Sequence, residues 1–278
     1  MISDVDLQLS SGRLHALRAG GERSAPVICV PGLSANARSF DAIGAALVAD
    51  GHQVLALDLR GRGLSPATAP GTHGWRTHAE DVLEAARRLG LGRFDLIGHS
   101  MGAFVCMQAA ALGEGAIRRL VLIDAAGVPE PAVIPPILAA VQRLDTVYRT
   151  REEYCALVQR HGTAVPWDEL WKEHYLYDLE ETPQGVRPRT SKAAVLEDVV
   201  YGSRQDPREL WQHLRMPVLL VRAARPLLPA TGFVVGAALR DAFLDAVESA
   251  QAVEIDANHY GVMAHPEALR AIVRFLTC

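Results

Sequence analysis

The chain has 278 residues, enough for one large α/β domain with an insertion or for two small domains. Apolar residues make up 49% and charged residues 22%, and the formal net charge is −4. That mild acidity argues against nucleic acid or an anionic membrane surface as the main partner.

The start, Met1-Ile-Ser-Asp-Val-Asp6, lacks the basic stretch and apolar run of a signal peptide. Arg, Asp or Gly interrupts each long apolar stretch, so no membrane span is expected and a cytoplasmic location is the default. Apolar runs of strand length recur at Val27–Val30, Val54–Leu57, Asp95–Ile97, Leu120–Ile123, Val218–Val221 and Val253–Ile255. Several are nearly continuous in Val, Ile and Leu, as parallel strands covered on both faces require. Helical patterns lie between them, at Asp41–Ala49, Met101–Leu112 and Pro266–Leu276, and Thr77-His-Ala-Glu80 reads as a capping box opening a helix that ends near Gly90. This alternation predicts an α/β fold with a doubly wound, mostly parallel sheet.

The rhythm breaks after Asp124. Pro129-Glu-Pro131 and Pro135-Pro136 lead into roughly eighty residues without a core strand, too long for an unstructured loop in a compact domain. Helical patterns there span Ile137–Arg149, Arg151–His161, Trp167–Tyr177 and Ser191–Tyr201, and most of the large aromatics fall in this stretch. We read residues 1–126 and 214–278 as the core and 127–213 as a helical cap over a site. The alternative is a subdomain whose aromatics pack only one another.

Cys29, Cys106, Cys155 and Cys278 are scattered with no CxxC pair, which suggests reduced thiols, and the histidines form no HExxH-like cluster. No metal site and no cofactor are expected.

Phe94-Asp-Leu-Ile-Gly98-His99-Ser100-Met101-Gly102 carries the chemistry. Gly-x-Ser-x-Gly alone is a weak pattern, but here an apolar strand leads in and an amphipathic helix leads out. The turn is so tight that Ser100 must take a strained backbone conformation, and flanking glycines remove side chains that would clash. Its hydroxyl is then exposed at the tip of the sheet, beside the N-terminal amides of a helix.

With that motif the chain resembles the α/β-hydrolase superfamily over nearly its whole length. The resemblance implies Ser100 as nucleophile. Val27-Ile-Cys-Val-Pro31-Gly32-Leu33 sits where the family has a strand followed by His-Gly, so the resemblance makes the Leu33 and Met101 N–H groups the oxyanion-hole donors. Pro31 stands where the family usually has His, so the hydrogen bonds around that loop must differ. Asp58-Leu-Arg-Gly61-Arg-Gly63-Leu-Ser65 looks like the family's Asp-x-x-Gly-x-Gly-x-Ser loop, and no chemistry is assigned to it. Ile255-Asp-Ala-Asn-His259-Tyr-Gly follows the last strand, where the family places its catalytic histidine.

The acid is harder to assign. Many members carry it after the strand matching Val218–Val221, but here Arg222-Ala-Ala-Arg-Pro-Leu-Leu-Pro229 holds no carboxylate. Asp241 and Asp245 lie in a helical pattern, and Asp256 is close in sequence to His259. Asp124 closes the preceding strand, where some branches place their acid, and it is the candidate against a Ser–His dyad with no acid.

These residues predict ester or lactone hydrolysis through an acyl-enzyme, on a small substrate with an apolar acyl or aryl group, such as an N-acyl homoserine lactone. Trp167, Trp171, Tyr175 and Tyr260 are the candidate substrate-binding residues. Carbon–carbon bond hydrolases and perhydrolases share the triad and stay open, as does a ligand receptor that lost turnover. A serine at position 100 argues against the dehalogenase and epoxide-hydrolase branches, which the resemblance associates with aspartate there.

Overall fold

The computed structural model describes residues 2–21 and 25–277. Cys278, one of the four cysteines, lies outside them. Cys29 and Cys106 are buried, Cys155 is half-buried, and all three are free thiols.

In chain order the elements are β1 (Ser3–Leu9), β2 (Gly12–Ala19), β3 (Val27–Val30), α1 (Asp41–Ala49), β4 (Val54–Leu57), α2 (Trp75–Arg88), β5 (Phe94–His99), α3 (Met101–Leu112) and β6 (Ile117–Ile123). An insertion follows with α4 (Ile134–Val141), α5 (Arg151–His161), α6 (Glu169–Tyr177), β7 (Leu179–Thr182), β8 (Gly185–Pro188) and α7 (Lys192–Gly202). The core then resumes with β9 (Val218–Ala223), α8 (Ala237–Ala246), β10 (Ala250–Ile255) and α9 (Pro266–Thr277).

Eight strands form one sheet in the order β1-β2-β4-β3-β5-β6-β9-β10. The β1–β2 and β2–β4 pairs are antiparallel and the rest are parallel. Successive strand residues face opposite sides, so each central strand feeds two cores. Ile28, Val30, Leu96, Leu120, Leu122 and Leu220 pack with α2 and α3. Val27, Cys29, Ile97, Val121, Ile123 and Val221 pack with α1 and α9 on the other face. This is the α/β-hydrolase architecture, with the sheet buried between two helical layers.

Three expected boundaries move, each for a visible reason. The Thr77–Glu80 capping box does not form: α2 opens three residues earlier, with Gly74 as N-cap, and the Thr77 hydroxyl instead donates to the Gly74 carbonyl. Burying Trp75 against Phe104 and Tyr201 outweighs the cap, and Gly74, at φ +129°, approaches the Tyr201 ring too closely for a Cβ. The helix expected at 137–149 is α4, which starts at Ile134 with prolines in its first turn and ends at Val141. Beyond it the chain turns back, and Tyr148 exchanges two 2.8 Å backbone hydrogen bonds with Val186 beside the β7–β8 hairpin. In the third case Trp167 lies outside α6, because Asp168 caps it by accepting the Trp171 N–H.

Candidate active site

Three strand ends converge at the C-terminal edge of the sheet, where open α/β sheets place their ligands. Ser100 follows β5 with φ +54°, a strained conformation for a residue with a side chain. Its neighbours explain how the turn closes. A Cβ on Gly98 would run into the Gly102 carbonyl, and one on Gly102 into the carbonyl of Val30. The elbow is pinned by the Ser100 N–H, which donates to the Ile123 carbonyl at 3.0 Å.

Asp124 follows β6, also with positive φ, at +47°. Its N–H extends the ladder to Val221, its Oδ1 accepts the Ala223 N–H at 3.0 Å, and its Oδ2 lies 2.8 Å from His259 Nδ1. His259 Nδ1–H therefore donates to the carboxylate, which leaves Nε2 as the basic nitrogen. Asp256 points away: its side chain is 74% exposed and pairs with Arg225 at 2.6 Å. No hydrogen bond joins Ser100 to His259 in this arrangement, but both line one small cavity of about 50 Å³, and such contacts often tighten only with substrate in place.

His99 supports the same histidine from below. Its Nε2–H donates to the His259 carbonyl at 3.0 Å, and burial, then His259 and His174, keep its pKa well below the ordinary imidazole value. With Nε2–H donating to that carbonyl, its buried Nδ1 is left without a hydrogen-bond partner among the described residues.

Leu33 and Met101 flank Ser100. Neither N–H is used in a hydrogen bond among the described residues, and Met101 begins α3, where backbone donors have no intrahelical partner. Gly32 lets the loop approach closely, since a Cβ there would sit 3.2 Å from the Ser100 Cβ. Bonds that hold this loop include the Ala35 N–H to the Gly32 carbonyl, Arg62 Nε–H to the Leu33 carbonyl at 3.1 Å and an Arg143 N–H to Ser34 Oγ at 3.4 Å.

A sequence model for the alpha/beta hydrolase fold matches residues 25–224. The chain belongs to the α/β-hydrolase family. Among curated relatives, it is 40% identical to an N-formylmaleamate deformylase from Pseudomonas putida over 40% of this chain and 41% of that protein. It is 27% identical to a 2-(acetamidomethylene)succinate hydrolase from Mesorhizobium japonicum over 88% of this chain and 85% of that protein. A crystal structure of E-2-(acetamidomethylene)succinate hydrolase superposes with a TM-score of 0.87 at 23% identity, covering 100% of both chains, and it speaks to the fold alone.

In this α/β hydrolase, two of the four aromatics expected to bind substrate reach the cavity and two do not. Tyr175 and Tyr260 line it. Trp167 stacks behind Tyr175 with ring centroids 5.8 Å apart, and Trp171 meets Tyr260 edge-on at 5.7 Å, so both tryptophans buttress the wall. Other aromatics of the insertion are structural. Tyr154 is fully buried, and the Tyr177 hydroxyl donates to Asp58 at 2.7 Å.

Sequence reasoning missed several residues of the cavity wall, Arg143 and His174 among them. Arg143 is buried at 8% exposure, and its guanidinium contacts the Ala140 carbonyl, the Tyr154 hydroxyl, Ser34 Oγ and the face of Tyr175. It makes no ion pair with Asp or Glu among the described residues. His174 faces the same cavity with its Nδ1 unpartnered, and burial, followed by the Arg143 charge, lowers its pKa to about 3.

Proposed function

We propose that this chain is a serine hydrolase that cleaves an acyl bond, ester or amide, in a small substrate bearing a carboxylate. The observation that carries the proposal is Arg143: a buried guanidinium with no acidic partner among the described residues, in the wall of the cavity that holds Ser100 and His259. A buried cation is costly unless paired, and a substrate carboxylate would supply the missing partner through charge-assisted hydrogen bonds. The cavity is small, and neutral His174 adds an acceptor for an N–H or O–H of the substrate. The names of the two curated relatives support the same direction, since each denotes an acylated nitrogen compound that is also a carboxylate.

The reaction follows from the triad. His259 Nε2 takes the Ser100 proton as Oγ attacks the acyl carbon, and Asp124 stabilises the resulting imidazolium. The Leu33 and Met101 amides receive the oxyanion, a contribution of about 3 kcal/mol per donor. His259 then protonates the leaving nitrogen or oxygen. Water, deprotonated by the same histidine, releases the acid from Ser100. The insertion serves as the cap that closes over these atoms and supplies the groups that recognise substrate. Esters and lactones with uncharged apolar groups would use the same triad, but they leave Arg143 unpaired.

The test compares mono-p-nitrophenyl succinate, which is anionic, with neutral p-nitrophenyl butyrate, and adds N-formylmaleamate as an amide. Preference for the anionic ester, abolished in Arg143→Gln and with all turnover lost in Ser100→Ala, is the expected result. Equal rates on the two esters would return the reading to uncharged esters and lactones. No turnover on any of the three, with tight retention of a carboxylate ligand, would favour a receptor.

A further inference from the structure

The loop after β4 contains a fully buried arginine, Arg62, that the reaction as written does not use. Arg62 has no solvent exposure, and each end of its guanidinium has a task. Nε–H donates to the Leu33 carbonyl at 3.1 Å, one NH2 group donates to the Arg60 carbonyl at 2.9 Å, and the other is paired with Asp198. Asp198 belongs to α7 of the insertion and is itself buried. It also accepts from His78 Nε2, 3.0 Å away on α2 of the core. Burial alone would raise the Asp198 carboxyl, but His78 and Arg62 outweigh it and hold its pKa at about 2.

Leu33 is gripped from its other side by the same insertion. Its side chain packs against the small cluster of Val141, Leu144 and Val195, from the end of α4 and from α7, and also against the main core. The close seating of α7 is visible at Gly61, where a Cβ would lie 2.9 Å from the Ala194 Cβ, and where the carbonyl accepts the Ser191 N–H at 2.8 Å. The Gly32–Leu33 peptide is therefore followed by a residue whose carbonyl is held by Arg62, itself paired with Asp198 of the insertion, and whose side chain packs partly against that insertion.

We propose that Arg62 and Asp198 are positioning residues that couple seating of the cap to the oxyanion hole, so that the Leu33 amide is correctly aimed only while α7 is docked. Neither residue touches substrate. The proposal rests on the reading of the Leu33 N–H as an oxyanion donor. A donor misplaced by a fraction of an ångström loses much of its value, because it must meet the oxyanion and not the ground-state carbonyl. The effect belongs in kcat, with KM nearly unchanged.

The experiment measures kcat and KM for p-nitrophenyl acetate, together with amide hydrogen exchange over residues 32–35, in Asp198→Asn and in the double variant Arg62→Met with Asp198→Leu. The double variant removes both charges at once, so it keeps a folded protein for comparison if the single variant leaves Arg62 unpaired and unfolds. Glu197→Gln, on the same helix but contacting His73 and Gly71, is the control. We expect kcat to fall about 10- to 100-fold with KM changed less than about threefold, and exchange at Ala35 to accelerate while that of β5 and α3 does not. Unchanged exchange over 32–35, an unchanged kcat, or a loss carried by KM would each overturn the proposal. If the wild type fails to turn over the ester, that failure falls on the proposed function, and the exchange measurement alone decides whether Arg62 and Asp198 hold the loop.

Discussion

Asp124 reaches His259 across the end of β9, with Oδ2 2.8 Å from Nδ1, although the strands they follow, β6 and β10, are separated by β9. β9 ends in Ala223 at the position between them, and the Ala223 N–H holds the second carboxylate oxygen at 3.0 Å. One oxygen is thus fixed by the backbone and the other fixes the imidazole.

Asp124→Asn should keep the hydrogen bond from Ala223 while favouring the wrong tautomer of His259. A loss of about 10⁴ in kcat is expected, with little change in KM. Steady-state kinetics on an activated ester measures it, and a loss below about tenfold would remove Asp124 from the triad.

The elbow makes a prediction about stability. A methyl group at Gly102 would occupy the space of the Val30 carbonyl, which is backbone and part of β3. Gly102→Ala should therefore destabilise the fold by more than about 3 kcal/mol, among the larger single-residue effects. Chemical denaturation measures it, and a cost below about 1 kcal/mol would mean that the contact relaxes easily.

Arg143→Gln should lower kcat/KM on an anionic ester by roughly 10- to 100-fold, the range for a lost charge-assisted hydrogen bond, and leave a neutral ester within a few-fold. Paired progress curves on the two esters measure it. Equal losses on both would assign Arg143 to the architecture of the insertion.

A pH effect follows from Asp178, buried at the end of α6. Burial, aided by Asp58, raises its pKa to about 7 against the opposing effects of Thr190 and Arg143. A carboxyl with a raised native pKa stabilises the fold below its unfolded value near 4, and that contribution is lost as pH rises through about 7. Asp178→Asn cannot ionise, so its urea midpoint relative to the wild type should rise between about pH 5 and about pH 8. A difference independent of pH would show that Asp178 ionises normally in the fold.

Legibility in the sequence tracked how local each feature is. The bounds of β3 and β4 follow from short, continuous apolar runs, because both faces of these strands are buried. The elbow and the position of Asp124 are equally local, being turn residues at strand ends. The β1–β2 hairpin went unread because it lies at the sheet edge, where exposed residues such as Asp4, Asp6 and Arg13 dilute the apolar pattern. β7 and β8 are four residues each and sit inside a helical context. Trp167 and Trp171 read as substrate-binding from sequence because aromatics of a helical insertion line pockets or pack walls with the same composition. Arg143 and Arg62 carried no local signal. What sets them apart is which partners surround a buried charge, and those partners come from distant parts of the chain.

The most direct measurement quenches a reaction with p-nitrophenyl acetate in acid during turnover and maps the modified peptide by mass spectrometry. An acetyl group on Ser100, absent in Ser100→Ala, is the predicted result. Turnover with no acyl group on Ser100, or turnover that survives in Ser100→Ala, would contradict the account.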